Sequence, residues 1–94
     1  MNEIIARRLR VHGRVQGVGF RFYTVREALA RNLTGWVRNR TDGTVEIQAQ
    51  GRPGEVDDFQ RWVSRGPESA RVDRVEANDA SPEALTGFCE LDTL

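Results

Sequence analysis

The residues best suited to chemistry are the nine from Gly13 to Arg21, which read GRVQGVGFR and include no acidic side chain. Gly17 and Gly19 permit backbone conformations that a Cβ atom forbids. Successive backbone N–H groups can then turn inward and form a concave cradle for an anion. The stretch therefore has the composition of an anion-binding loop.

A helix predicted directly after this loop indicates which anion the loop would bind. The sequence GFRFYTVREALARNL is helix-like, so the loop would lead into a helix N-terminus, where free N–H donors and the helix dipole favour phosphate. Arg21 lies in the first turn and can add a planar fork of donors to the phosphate oxygens. A cation at the positive end of a helix dipole is locally unfavourable, which indicates that an anion binds beside it. The sequence thus predicts a phosphate site.

The elements that must hold the loop alternate in the order strand, helix, strand, strand, helix, strand. Their predicted bounds are strand 8–15, helix 20–33, strand 34–40, strand 44–50, helix 55–65 and strand 70–77. The order βαββαβ predicts an α+β fold, a ferredoxin-like sandwich with an antiparallel sheet and two helices on one face. The C-terminal residues leave room for a short fifth strand.

Hydrophobic spacing assigns a buried face to each element. The predicted core residues of the strands are Leu9, Val11, Val45, Ile47, Ala49, Val75 and Ala77. The first helix contributes Phe22, Val25, Leu29 and Leu33, and the second contributes Val56, Phe59 and Val63 with Trp62 beside them. Val72 is out of phase with the fourth strand, which predicts a β-bulge there.

The topology brings Asn39 to the phosphate loop. In this fold the first and second strands are parallel with the third between them, so their C-terminal ends lie together, about 10 Å apart. Asn39 ends the second strand, just before a hairpin whose Asp42-Gly43 pair is a strong turn signal. Its uncharged amide can hold a water by two hydrogen bonds, whereas an Asp would repel an anionic substrate.

Two separated motifs, GRVQGVGFR and GWVRNRTDG, together resemble the paired signatures of the acylphosphatase family. The likeness continues to ARVDRVEA and covers roughly residues 8–78. Members of this family are small ferredoxin-like enzymes that hydrolyse carboxyl-phosphate mixed anhydrides to a carboxylate and inorganic phosphate. The resemblance therefore implies the same fold and the same reaction.

The resemblance also implies a role for each matching residue. Arg21 would bind the phosphate and Asn39 would position the nucleophilic water, which makes these two the catalytic residues. The phosphate loop would consist of Arg14, Val15, Gln16, Gly17, Val18, Gly19, Phe20 and Arg21, and the backbone amides from Val15 to Phe20 would line the cradle. The substrate would be a small acyl phosphate, with inorganic phosphate or sulfate as competing anion, and no cofactor or metal is expected.

Composition excludes several other classes of protein. The 94 residues suit one domain, 1–94 with a core of roughly 7–92, and 38% of them are hydrophobic. Fourteen basic and fourteen acidic side chains cancel, so no overall field would attract nucleic acid or a membrane surface. No apolar run approaches a transmembrane span, and the first residues lack the apolar core of a signal peptide. With a single Cys89, these features predict a cytoplasmic monomer.

Several residues also have plainer explanations. Asn39 could simply promote the turn that follows it. His12 lies on the strand face opposite Leu9 and Val11, which favours a surface histidine over a catalytic base. Cys89 has no partner base and is expected to pack rather than react. Trp36 and Trp62 are interpreted as packing or partly exposed aromatics.

Two other functions compete with hydrolysis. The nearer one is a non-catalytic or carbamoyl-phosphate-binding acylphosphatase-like domain, of the kind that begins larger hydrogenase-maturation carbamoyltransferases. Those tend to have Pro after GFR, where this chain has Phe22. The other is an RNA-binding module, which would need exposed aromatics on strands where TVEIQAQ supplies Glu and Gln.

One position departs from the pattern of the family. Phe88 and Glu90 share a face of the predicted last strand, where a short strand usually carries two apolar residues. Either Glu90 lies at a wet edge of the sheet or the register differs.

Overall fold

The computed structural model describes residues 3–94, so the first two residues of the predicted 1–94 domain lie outside the described residues. The elements are β1 (Ile5–Arg14), α1 (Phe20–Ala30), β2 (Thr34–Asn39), β3 (Val45–Gly51), α2 (Pro53–Arg65), β4 (Arg71–Ala80) and β5 (Phe88–Glu90). The five strands form one sheet in the order β4-β1-β3-β2-β5. The predicted ferredoxin-like βαββαβ fold is confirmed, with both helices packed against the strands.

The central strands bring the ends of β1 and β2 to the same edge of the sheet. Both strands are antiparallel to β3, so they are parallel to each other. Val11 of β1 and Asn39 of β2 both lie opposite Val45 of β3, and β1 then continues to Arg14. This register places the end of β2 beside the start of the loop that leaves β1.

The fifth strand makes the sheet mixed rather than antiparallel throughout. After β4 the chain crosses the open face of the sheet, where the side-chain amides of Gln48 and Gln50 donate to the carbonyl oxygens of Ser81 and Glu83. It then reaches the outer edge of β2, and β5 pairs with β2 in parallel. This crossing covers Gln48 and Gln50, and Arg8, Arg10 and Arg40 form ion pairs with Glu46. All three polar side chains of β3 are therefore buried.

The two helices differ in how well their sequences predict the buried face. In α2 the predicted core residues Val56, Phe59, Trp62 and Val63 are all buried. In α1 half of the predicted stripe is wrong, because Phe22 is 60% and Leu29 51% exposed, whereas Val25 is partly buried against the core. The buried residues of α1 are Phe20, Thr24 and Ala28, spaced by four.

The first helix is also shorter than its sequence pattern predicts. It ends at Ala30, and the positive φ of Asn32 turns the chain so that Leu33 enters the core from outside the helix. Thr24 tolerates burial because its hydroxyl donates to the carbonyl oxygen of Phe20 at 2.8 Å. Among the described residues no helix has the length and apolarity needed to cross a bilayer.

The edge strand β4 carries the predicted irregularity. The pairing with β1 shifts between His12 and Gly13, and Gly13 lies opposite Val72, so the bulge is confirmed. A Cβ atom on Gly13 would come within 2.1 Å of the carbonyl oxygen of Arg71, which explains the glycine. Val75 is half-buried, but Ala77 is exposed, because α2 leaves this part of the edge strand uncovered.

Candidate active site

The loop between β1 and α1 has the backbone geometry of an anion cradle. Gly17 and Gly19 have φ values of 74° and 79°, in the left-handed region that glycine adopts without strain. Gly19 is the N-cap of α1 and supplies no side-chain cap, and the first turn contains no acidic residue. Within residues 3–94, no acceptor is found for the backbone N–H groups of residues 16 to 19. These donors are available to an anion.

Two side chains hold the loop in place by hydrogen bonds, one on each flank. The side-chain amide of Gln16 donates to the carbonyl oxygens of Arg40 and Thr44, both at 2.8 Å. On the other flank, the Ser69 hydroxyl donates to the carbonyl oxygen of Val18 at 2.7 Å. The loop is therefore fastened to the β2–β3 hairpin on one side and to the α2–β4 connection on the other.

The remaining loop side chains leave the cradle open. Val15 and Phe20 are each 1% exposed and belong to the hydrophobic core, so only their backbone can face an anion. A Cβ atom on Gly17 would meet nothing within 4 Å. Arg14 ends β1 opposite Arg71 of β4, and its side chain is exposed.

Asn39 lies at the end of β2 with an unused acceptor. Its side-chain Oδ1 is buried and has no hydrogen-bond partner among the described residues. A buried polar atom without a partner costs about 1–3 kcal/mol, so the site is expected to supply one. Gln16 bonds to the neighbouring Arg40, which ties this end of β2 directly to the loop.

The turn after Asn39 does not depend on the Asn39 side chain. Asp42 accepts hydrogen bonds from the hydroxyl of Thr44 at 2.6 Å and from its backbone N–H at 3.0 Å. These bonds hold the pKa of Asp42 below its ordinary value. The interpretation of Asn39 as a turn-promoting residue is therefore not favoured, because Asp42 and Gly43 already form the hairpin.

Arg21 lies between the loop and β5, where it meets a carboxylate. Its Nε is 3.7 Å from Oε1 of Glu90, and both side chains are partly exposed. Phe88 is buried while Glu90 lies at the wet edge, so of the two interpretations of this strand the wet edge is confirmed. A half-exposed guanidinium with one carboxylate neighbour keeps donors free for a second anion.

Glu90→Gln is expected to strengthen phosphate binding by up to about fivefold, because exposed ion pairs are worth about 0.2–1 kcal/mol. On the prediction that Arg21 binds phosphate, Glu90 competes for the same guanidinium, and glutamine removes the competing charge. Titration calorimetry with inorganic phosphate measures the effect. Asp79→Asn makes the same charge change on β4, at the opposite edge of the sheet, and should leave the affinity unchanged. Weaker phosphate binding by the Glu90→Gln variant would instead mean that Glu90 orients Arg21.

Two other candidate residues lie away from the loop. His12 pairs with Glu76 across β1 and β4, which agrees with a surface histidine, and this contact lowers the pKa of Glu76. Cys89 is exposed on β5, so the expectation that it packs is wrong, since β5 has an open outer edge. Trp36 and Trp62 are both buried, as packing aromatics. The described part of the chain contains no cluster of three side chains suited to a metal ion.

Comparisons with known proteins point to one family. The family model described as Acylphosphatase matches residues 7–89. The acylphosphatase of Thermococcus kodakarensis is 51% identical over 80 residues, which cover 85% of this chain and 88% of the relative. The crystal structure of the acylphosphatase from Bacillus subtilis matches with a TM-score of 0.89 and 39% identity over 93% of this chain and 98% of that one.

A larger protein contains a similar domain. Full-length HypF, solved in a phosphate- and nucleotide-bound form, matches with a TM-score of 0.91 and 26% identity. The match covers 99% of this chain but only 12% of HypF. The stand-alone relatives are thus similar over nearly their whole length, whereas HypF is similar over one small part.

Sequence reasoning alone missed two residues that support the site, Ser69 and Glu90, and it missed the anchoring role of the loop residue Gln16. The anchoring bonds of Gln16 and Ser69 depend on contacts across the fold that no local pattern encodes. Glu90 did give a signal, as the charged residue where the strand pattern calls for an apolar one. That mismatch indicated an unusual position but did not identify Arg21 as its partner.

Proposed function

The chain belongs to the acylphosphatase family and hydrolyses acyl phosphates, and we propose that its β1–α1 loop and Arg21 bind the phosphoryl group while Asn39 positions the attacking water. In this proposal the backbone amides from Val15 to Phe20 face the phosphoryl oxygens. Arg21 adds a planar fork of donors to the same oxygens.

The observation that supports these roles best is the unpartnered Oδ1 of Asn39 beside a loop of unpartnered amides, both among the described residues. The two features require different partners, because the amides need an acceptor and Oδ1 needs a donor. A phosphoryl group with a water beside it supplies both. Gln16 connects the two halves through its bonds to the hairpin, which fixes their separation.

Hydrolysis of an acyl phosphate requires little from the protein beyond this arrangement of donors around the phosphoryl group and the water. The oxygen of the water bonds to phosphorus as the bond from phosphorus to the acyl oxygen breaks, and the electron pair leaves with the carboxylate. Because a carboxylate is a good leaving group, no strong acid is needed to expel it. We propose that a phosphoryl oxygen of the substrate accepts the proton of the water. Positioning and charge neutralisation then supply the catalysis.

The alternative of a non-catalytic or carbamoyl-phosphate-binding domain is not favoured by the comparisons. The family model matches residues 7–89, and the acylphosphatase of Thermococcus kodakarensis is 51% identical over 85% of this chain. The resemblance to HypF is weaker in sequence and confined to 12% of that protein.

Hydrolysis of acetyl phosphate and benzoyl phosphate, with and without inorganic phosphate, tests this proposal. Inorganic phosphate should raise KM without changing kcat, because it competes for the same loop. A chain that cleaves neither substrate at micromolar concentration would fit the non-catalytic alternative. Inhibition that lowers kcat and leaves KM unchanged would mean that phosphate binds away from the loop.

We also propose that the protein acts as a monomer in the cytoplasm, with sulfate as a second competing anion. The loop, Arg21 and Asn39 all belong to one chain, so the site is complete without a second copy. The exposed free Cys89 suits a reducing compartment. Sulfate has the tetrahedral oxygens that the cradle would bind.

A further inference from the structure

We propose that the groove between α1 and the α2–β4 connection binds the acyl group of the substrate and favours a flat one. This inference rests on the proposed phosphate site, since the groove is defined by its position next to the loop. The groove has a volume of about 660 Å³, within the range of small-molecule sites. Its lining residues are Tyr23, Arg26, Glu27, Trp62, Pro67 and Ser69, with Glu68 at the rim.

Two independent contacts place this groove against the phosphate loop. The ring of Tyr23 lies 3.7 Å from the position that a Cβ atom would take on Gly19. Ser69 lines the groove and also donates its hydroxyl to the carbonyl oxygen of Val18. A phosphoryl group held by the amides of the loop therefore has the groove as its immediate neighbour.

The groove also lies on the correct flank of the loop for a leaving group. In phosphoryl transfer the attacking and leaving oxygens are roughly in line, on opposite sides of phosphorus. Gln16 binds the loop to the hairpin that carries Asn39, whereas Ser69 binds its other flank to the connection that lines the groove. A water held by Asn39 thus attacks from one flank and the carboxylate departs on the other.

The lining of the groove determines which acyl groups it suits. Tyr23 is 36% exposed, so its ring is available for contact, and Trp62 and Pro67 supply further apolar surface. Ring faces and edges attract other flat groups. Arg26 lines the same groove as Glu27 and Glu68, and Glu27 is ion-paired with Arg31 at 2.8 Å, so the charged residues of the lining do not select the charge of the acyl group. An acetyl group is too small to fill this space and should gain little from it.

Tyr23→Ala tests the assignment through a ratio of two substrates. We expect kcat/KM for benzoyl phosphate to fall about tenfold, because an aromatic contact of this kind is lost. For acetyl phosphate kcat/KM should change less than about twofold, since acetyl does not reach the ring. Tyr23→Phe keeps the ring and should keep the preference for benzoyl phosphate. Inhibition by inorganic phosphate should be the same in all variants.

Leu29→Ala is the matched control, because Leu29 is an exposed apolar residue of α1 that lines a different groove with Phe22, Val25 and Glu90. A selective loss of benzoyl phosphate hydrolysis in that variant would place the acyl group on the other side of α1 and overturn the inference. So would an equal loss for both substrates in Tyr23→Ala. Failure of the unmodified protein to hydrolyse acetyl phosphate would count instead against the proposed function.

Discussion

Arg21→Ala is expected to lower kcat/KM for acetyl phosphate by about 10³-fold, because one preorganised donor to a developing oxyanion is worth about 3–4 kcal/mol. Both binding and rate should decrease, since in the proposed mechanism the guanidinium contacts the phosphoryl oxygens before and during the reaction. Steady-state kinetics and the inhibition constant of inorganic phosphate measure the two effects. A loss confined to kcat, with phosphate inhibition unchanged, would contradict a role in binding.

Arg21→Lys is expected to rescue little of this loss. An ammonium retains the charge but cannot offer the planar, two-pronged geometry of a guanidinium. Arg52→Ala is the matched control, because Arg52 is an exposed arginine at the N-terminal end of α2, the end away from the loop. Its activity should equal that of the unmodified protein. Full activity in Arg21→Lys would mean that charge alone is sufficient.

Asn39→Ala is expected to lower kcat by about 10²–10³-fold while leaving phosphate inhibition unchanged. The amide would hold the water rather than the phosphoryl group, so its loss should affect the rate and not the binding. The variant should unfold at the same denaturant concentration as the unmodified protein, because Oδ1 has no partner to lose among the described residues. Asn78→Ala removes an exposed amide on β4 and should change neither quantity.

Asn39→Asp separates orientation from charge. A carboxylate at this position should weaken phosphate inhibition as well as lower kcat, because it repels the anion in the loop. Equal phosphate inhibition in the Asp and Ala variants would argue that Asn39 lies farther from the anion than proposed.

The fold was largely predictable because most elements obey a simple period. In α2 the apolar residues repeat at the spacing of a helix, and the buried face follows from it. In β3 the alternation identifies the face that packs against the helices, but the polar face is buried as well. In α1 half of the apolar stripe is exposed, while the buried face uses Thr24 and Ala28. Small and hydroxylic residues pack closely on that face of α1, and a pattern based on hydrophobic residues alone does not identify it as the buried face.

The parts of the candidate site also differ in how far the sequence alone predicts them. A local pattern is enough for the loop glycines, and the hairpin signal after β2 is enough to bring Asn39 near them. The pairing of Arg21 with Glu90 arises from a contact between distant segments of the described chain. Such a contact depends on the crossing of the chain from β4 to β5, which no short motif specifies.

A crystal structure of the protein grown in sulfate tests the central claim most directly. The account predicts a sulfate in the β1–α1 loop, with its oxygens about 3 Å from the backbone nitrogens of residues 16 to 20 and from the guanidinium of Arg21. Asn39 should face the same ion, directly or through one water. An empty loop, with Arg21 still paired to Glu90 and sulfate bound elsewhere, would contradict it.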